Sequence, residues 1–121
     1  MYKIQTLNNI SVTGLERFTR GKYEVASEIG HPDAIMLRSH KLTEAEIPAS
    51  VKAIGRAGAG VNNIPVPRMT ELGIPVFNAP GANANAVKEL VMAALLLGSR
   101  GVLQGIDYVR GLTDMNDAKA M

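Results

Sequence analysis

The stretch Ala53-Ile54-Gly55-Arg56-Ala57-Gly58-Ala59-Gly60-Val61-Asn62-Asn63 puts three glycines into six residues after a short apolar run, and its reading decides what kind of chain this is. A dinucleotide fingerprint needs Gly-x-Gly-x-x-Gly between a strand and a helix, with an acidic residue about 20 positions on for the ribose. Counted from Gly58, the third glycine slot holds Asn63 and the acidic position falls on Asn78; counted from Gly55, the second slot holds Ala57. The Gly-Lys-Ser/Thr ending of a P-loop is also missing. A glycine-rich turn of this kind instead exposes backbone N–H groups in a concave nest suited to carboxylate or phosphate, and its small side chains let a substrate approach the backbone. Spacing alone fits equally well a tight strand-to-helix connection that holds no ligand.

Outward from this loop, short β-leaning segments alternate with helical ones. Residues 2–7 alternate weakly as a first strand, followed by a short helix through Phe18 capped by Ser11 or Thr13. A second strand is predicted over 22–26 and a short buried third over 34–37, after the His31-Pro32-Asp33 turn. Thr43 and Glu46 have capping-box spacing. A fourth strand over 51–54 runs into the glycine loop, Pro67 opens a helix that Gly73 closes, and 74–77 forms a fifth strand. This alternation predicts an α/β domain with a largely parallel sheet.

The last third differs. From Asn83 or Asn85 as cap, Val87, Leu90, Val91, Ala94 and Leu95 fall on one helical face, while Met92, Leu96 and Leu97 cover the other sides. Such a helix should be buried nearly all round, as an ordinary core element or as a helix at a domain and subunit contact. Beyond Asp107 the pattern fades, and nothing follows that would cover it.

Composition narrows the function. Aromatic residues make up 4% of the chain with no Trp, which leaves little for stacking on single-stranded nucleic acid. The net charge of +2 comes from scattered Lys and Arg, so neither a nucleic-acid nor a membrane footprint is expected. The absence of cysteine excludes disulfides and thiolate metal sites, and His31 and His40, nine residues apart with no carboxylate cluster, do not make a metal site. Residues 1–6 lack the apolar core of a signal peptide, which favours a cytoplasmic protein.

Residues 35–42 (IMLRSHKL), 55–64 (GRAGAGVNNI) and 73–91 (GIPVFNAPGANANAVKELV) follow one another in an order that resembles the D-2-hydroxyacid dehydrogenase family, on its phosphoglycerate dehydrogenase branch. The likeness runs from about Asp33 to Arg100. It implies a two-domain, NAD-dependent oxidoreductase in which a flavodoxin-like substrate domain faces a Rossmann domain. On that reading, 1–80 is the N-terminal part of the substrate domain, and 81–121 holds the interdomain helix and the start of the nucleotide-binding domain. The dinucleotide fingerprint and the catalytic Arg, Glu and His would lie beyond Met121, so no catalytic residue is expected here and this chain alone should not bind NAD tightly.

By position, Arg38, Ser39, Arg56, Gly58 and Gly60 match substrate-contacting residues of the family, and Ala59 matches a residue near the nicotinamide. Many relatives carry Thr where Ala59 stands and Asp where Asn62 stands. Arginine suits the role because its guanidinium makes charge-assisted, bidentate contacts with carboxylate or phosphate; taken singly, either arginine could equally be a solvated surface residue. The expected partners are a small anionic 2-hydroxy acid and further copies of the chain. The competing reading is a free-standing flavodoxin-like module that binds or senses anions without catalysis.

Overall fold

The computed structural model describes residues 1–112. Its elements in order are β1 (Tyr2–Leu7), α1 (Val12–Leu15), β2 (Tyr23–Ala26), β3 (Ala34–Leu37), a 3₁₀ turn (Glu44–Glu46), β4 (Ala53–Arg56), α2 (Val66–Leu72), β5 (Val76–Phe77), α3 (Ala84–Ser99) and α4 (Val102–Arg110). They form two compact units, one spanning Met1–Ala82 and a second beginning at Asn83.

In the first unit all five strands pair in parallel, in the order β2-β1-β3-β4-β5. This is the flavodoxin-like order, in which the chain reverses direction between β1 and β3 and leaves a crevice at the carboxyl ends of those strands. Side chains in a strand alternate between faces, so Ile35 and Leu37 of β3 share one face with Ile54, the neighbour of Ile35 in register on β4. These three are fully buried, and Leu42, Val51, Ile64 and Met69 complete the core against them. Each such side chain contributes about 1.5–3 kcal/mol by leaving water. On the opposite face, the small residues Ala34, Ala53 and Gly55 floor an apolar groove of about 500 Å³ walled by Tyr2, Phe18, Tyr23 and Phe77.

Helix α2 shows how local sequence sets an element's length. Pro67 in its first turn fits because an N-terminal N–H has no helical partner to lose. Gly73 stops it at φ 73°, a left-handed conformation that costs a residue with a Cβ, and the Ile74 N–H closes back on the Met69 carbonyl at 2.9 Å.

Several boundaries depart from the sequence expectation. β4 occupies Ala53–Arg56 rather than 51–54, because Val51 packs into the core before pairing begins, and Gly55 sits within the ladder opposite Met36 and Phe77. β5 is reduced to Val76–Phe77, and α1 ends at Leu15 instead of Phe18.

In the second unit, α3 starts at Ala84 with Asn83 at its cap position, as anticipated. No α3 residue is buried, and Leu90, Leu95 and Leu96 are 72%, 60% and 59% exposed, so among the described residues nothing covers the apolar faces for which the sequence pattern expects burial. The fading pattern after Asp107 misled, since residues 102–110 form α4, entered through Gly101 at φ 60°. Its apolar residues Val102, Leu103, Ile106 and Val109 follow helical spacing despite Gly105. The part of that reading that concerned residues 113–121 lies outside the described residues. Among the described residues no helix is long and apolar enough to cross a membrane.

Candidate functional site

The carboxyl ends of β1, β3, β4 and β5 each deliver a polar segment to the same edge of the sheet: Asn8-Asn9, Arg38-Ser39-His40, Arg56 to Gly60, and Asn78. Asn8 has φ 77°, a left-handed conformation that Asn tolerates better than most side chains. That turn aims its Oδ1 at the segment after β3, where it accepts from the N–H groups of Arg38 at 3.0 Å and His40 at 2.9 Å.

The two candidate arginines are anchored to backbone rather than to acids. Arg38 donates from Nη1 to the Asn9 carbonyl at 3.0 Å. Arg56 donates from Nε to the Arg38 carbonyl at 2.7 Å and from Nη1 to the Gly60 carbonyl. Among the described residues neither pairs with a carboxylate, whereas Arg68 on α2 holds both Glu44 and Glu71 at 2.8 Å. A guanidinium carries five N–H donors, so both arginines keep several for a ligand. Among the described residues each is a cation without a counter-ion, and the chemically matched ligand is an anion.

The glycine loop takes a form the sequence did not foretell. Neither Gly58 nor Gly60 has positive φ, so the loop does not use glycine's left-handed freedom. What their missing side chains provide is room for Arg56. A Cβ at Gly60 would stand 2.9 Å from Arg56 Nη1, and one at Gly58 would stand 3.5 Å from Arg56 Cζ. The loop is held from outside: the Ala57 N–H bonds the Leu37 carbonyl at 2.8 Å, the Ala79 N–H bonds the Gly58 carbonyl at 2.9 Å, and Asn78 Nδ2 bonds the Ala59 carbonyl at 2.8 Å. The carbonyls of Gly58, Ala59 and Gly60 are engaged, while among the described residues the N–H groups of Gly58, Ala59, Gly60 and Val61 donate to no protein acceptor. Backbone N–H groups free at a strand end, beside two unpaired cations, make an anion-binding surface.

All the residues singled out from sequence therefore meet at one edge. Arg38 and Ser39 follow β3, Arg56 ends β4, Gly58 and Gly60 bed its guanidinium, and Ala59 is exposed between them. Ser39 is exposed and its hydroxyl has no protein partner among the described residues. The residues that sequence reasoning missed are Asn8, Asn63 and Asn78. Asn63 Nδ2 donates to the carbonyls of Arg38 at 2.9 Å and His40 at 2.8 Å. The available signal was three Asn residues near strand ends, where that side chain mimics and fixes backbone turns.

His40 turns away toward the 3₁₀ segment, where its Nε2 lies 2.7 Å from Glu46 Oε2. Glu46 also accepts from the Thr43 N–H at 3.2 Å and Oγ1 at 2.9 Å, the reach-back expected of the Thr43–Glu46 spacing. The His40 hydrogen bond first, and those from Thr43 second, hold the Glu46 carboxyl below its ordinary range. Among the described residues no group of three or more His, Cys, Asp or Glu converges to hold a metal ion.

The described residues do not by themselves fit a dinucleotide. A pyrophosphate site needs a helix N-terminus directly behind the glycine turn, yet α2 begins only at Val66, with Pro65 at its cap position. No chemistry of such a cofactor is assigned to this chain's residues.

The sequence model of the family described as "D-isomer specific 2-hydroxyacid dehydrogenase, catalytic domain" matches residues 2–116. The chain is 42% identical over 86 residues to the D-3-phosphoglycerate dehydrogenase of Methanocaldococcus jannaschii, covering 69% of this chain and 16% of that protein. It is 38% identical over 84 residues to the hydroxypyruvate reductase of Thermotoga maritima, covering 67% of this chain and 28% of that one. It is also similar to a solved structure of NAD+-bound 3-phosphoglycerate dehydrogenase from Entamoeba histolytica, with a TM-score of 0.68 and 28% identity over 80% of this chain and 39% of the other. The chain thus spans well under half the length of the relatives it matches.

Proposed function

The chain belongs to the D-isomer specific 2-hydroxyacid dehydrogenase family, and from that premise we propose that it is the substrate-binding portion of an NAD-dependent oxidoreductase of the D-3-phosphoglycerate dehydrogenase kind, serving serine biosynthesis. Residues 1–80 would form the N-terminal part of the substrate domain, and 81–121 would lead into the nucleotide-binding domain. Arg38 and Arg56 would neutralise the anionic ends of a 2-hydroxy acid, the N–H groups of the Gly58–Gly60 loop would bond its oxygens, and Ser39 would add its hydroxyl. NAD bound to the complete enzyme would supply the hydride acceptor, with Ala59 beside its nicotinamide. The residues of this chain bind and orient substrate, and none of them is assigned a catalytic role.

The observation that supports this most is the pairing, among the described residues, of two arginines lacking carboxylate partners with a run of unbonded loop amides at the carboxyl edge of the sheet. Two surface arginines alone would not bring their own bed of backbone donors. Calorimetry tests the reading: the chain should take up 3-phosphoglycerate weakly, and Arg56→Ala should abolish the heat. NAD at millimolar concentration should give no binding. A low-micromolar affinity for NAD, or uptake of 3-phosphoglycerate unaffected by Arg56→Ala, overturns it.

A further inference from the structure

The tripeptide Arg38-Ser39-His40 is gripped from two sides by side chains distant in sequence. Asn8 Oδ1 takes the N–H groups of its first and third residues, and Asn63 Nδ2 takes the carbonyls of the same two residues. The middle residue, Ser39, is left exposed with its hydroxyl unengaged. The grip is reinforced where Arg56 Nε shares the Arg38 carbonyl at 2.7 Å and the Leu42 N–H bonds the Asn63 carbonyl at 2.8 Å.

Both clamping residues carry a local cost. Asn8 occupies the left-handed region at φ 77°, and Asn63 Oδ1 is buried with no hydrogen-bond partner among the described residues. Backbone outliers and unsatisfied buried polar atoms are uncommon, and they concentrate where geometry serves a site. Here both costs fall on residues whose side chains bond one tripeptide, the one that presents Arg38 and Ser39.

We infer that Asn8 and Asn63 are positioning residues that act as a single clamp, holding Arg38 and Ser39 in the orientation that receives the anionic substrate. This rests on the proposed anion-binding role of the site. Neither Asn touches substrate in this account; each acts through the segment after β3. Sites need their contacting groups held to a fraction of an ångström, and a strand-end segment with no regular structure supplies no such constraint itself.

The test compares Asn8→Gly, Asn63→Ala and the double variant by amide NMR of the chain, titrated with 3-phosphoglycerate at fixed ionic strength. Glycine accepts φ 77° without strain, so Asn8→Gly removes the acceptor while relieving the backbone. Each single variant should stay folded and bind about tenfold more weakly. The double variant should lose little more than either single one, because a clamp broken on one side no longer positions the segment. In the unliganded chain the order parameters of residues 38–40 should fall from about 0.85 toward 0.6 in both variants, a local change that a general loss of stability would not confine there.

Unchanged affinity in the folded variants, or a double variant about a hundredfold weaker through independent losses, overturns the inference. Should Asn8→Gly lose the fold, Asn63→Ala and Asn63→Ser carry the test by the same two readouts. If the wild-type chain itself shows no shift at Ser39 and Gly58 to Gly60 with 3-phosphoglycerate, the anion-binding reading fails. The clamp is then judged by the order parameters, and rigid residues 38–40 in the variants reject it.

Discussion

Arg56 donates from Nε to the carbonyl oxygen of Arg38 at 2.7 Å, so the side chain of one candidate anion-binding arginine is fixed by the main chain of the other. The bond needs the planar fork of a guanidinium, because Nε faces Arg38 while Nη1 faces Gly60. Arg56→Lys keeps the charge but cannot span both carbonyls. It should weaken 3-phosphoglycerate binding nearly as much as Arg56→Ala, by about 1.5–3 kcal/mol, with little change in stability. Calorimetry on the two variants decides this, and a lysine variant that binds like wild type would reduce Arg56 to a point charge.

The two loop glycines should respond differently to alanine. At Gly60 the new Cβ would stand 2.9 Å from Arg56 Nη1 and must displace the guanidinium, whereas at Gly58 the nearest atom, at 3.5 Å, is in ordinary contact. Neither residue has positive φ, so backbone strain does not enter. Gly60→Ala should therefore lose anion affinity by about tenfold while Gly58→Ala keeps most of it. Equal losses at both positions would place the glycines against the ligand instead of against Arg56.

The core makes a separate demand. Leu37 is fully buried between the sheet and the elements over it, and Leu37→Ala should cost about 2–5 kcal/mol, measured by urea unfolding at neutral pH. A loss below about 1 kcal/mol would contradict the packing described for β3.

Glu46 gives a pH dependence with a defined sign. Its hydrogen bonds to His40 and Thr43 lower its folded pKa below the unfolded value, so their contribution is present above the ordinary carboxylate range. It fades as pH falls through the folded pKa. Glu46→Gln should therefore destabilise the chain at neutral pH and cost nothing once the solution is acid enough to protonate the wild-type carboxyl. Urea melts across that range check it, and a penalty that grows toward low pH has the wrong sign.

Much of this was legible beforehand, for identifiable reasons. The short apolar third strand over 34–37, the stop at Gly73 and the Thr43–Glu46 spacing are local patterns, and the structure keeps each of them. The fourth strand was displaced because an apolar Val51 reads like strand while Gly55 reads like its end; pairing with Met36 and Phe77 reverses that. Helix α4 was missed because Gly105 and Gly111 weaken its pattern. At the site, residue types pointed to Arg38, Ser39 and the loop, but the Asn8 and Asn63 contacts join residues 23 to 32 positions apart, and no periodicity reports them.

Helix α3 should drive self-association. Met92, Leu95, Leu96 and Leu97 are 51%, 60%, 59% and 40% exposed, and burying such side chains is worth up to about 1.5–3 kcal/mol each. Light scattering coupled to size exclusion should show a dimer or larger species, shifted toward monomer by Leu96→Glu with Leu97→Glu. A monodisperse wild-type monomer at high micromolar concentration contradicts this.

The central claim is tested most directly by a crystal structure of the chain grown with 3-phosphoglycerate. An anionic group of the ligand should lie within about 3.2 Å of an Arg56 or Arg38 nitrogen and of at least one N–H among Gly58, Ala59 and Gly60. Ligand bound elsewhere on the first unit, with those arginines and amides left to solvent, would contradict the account.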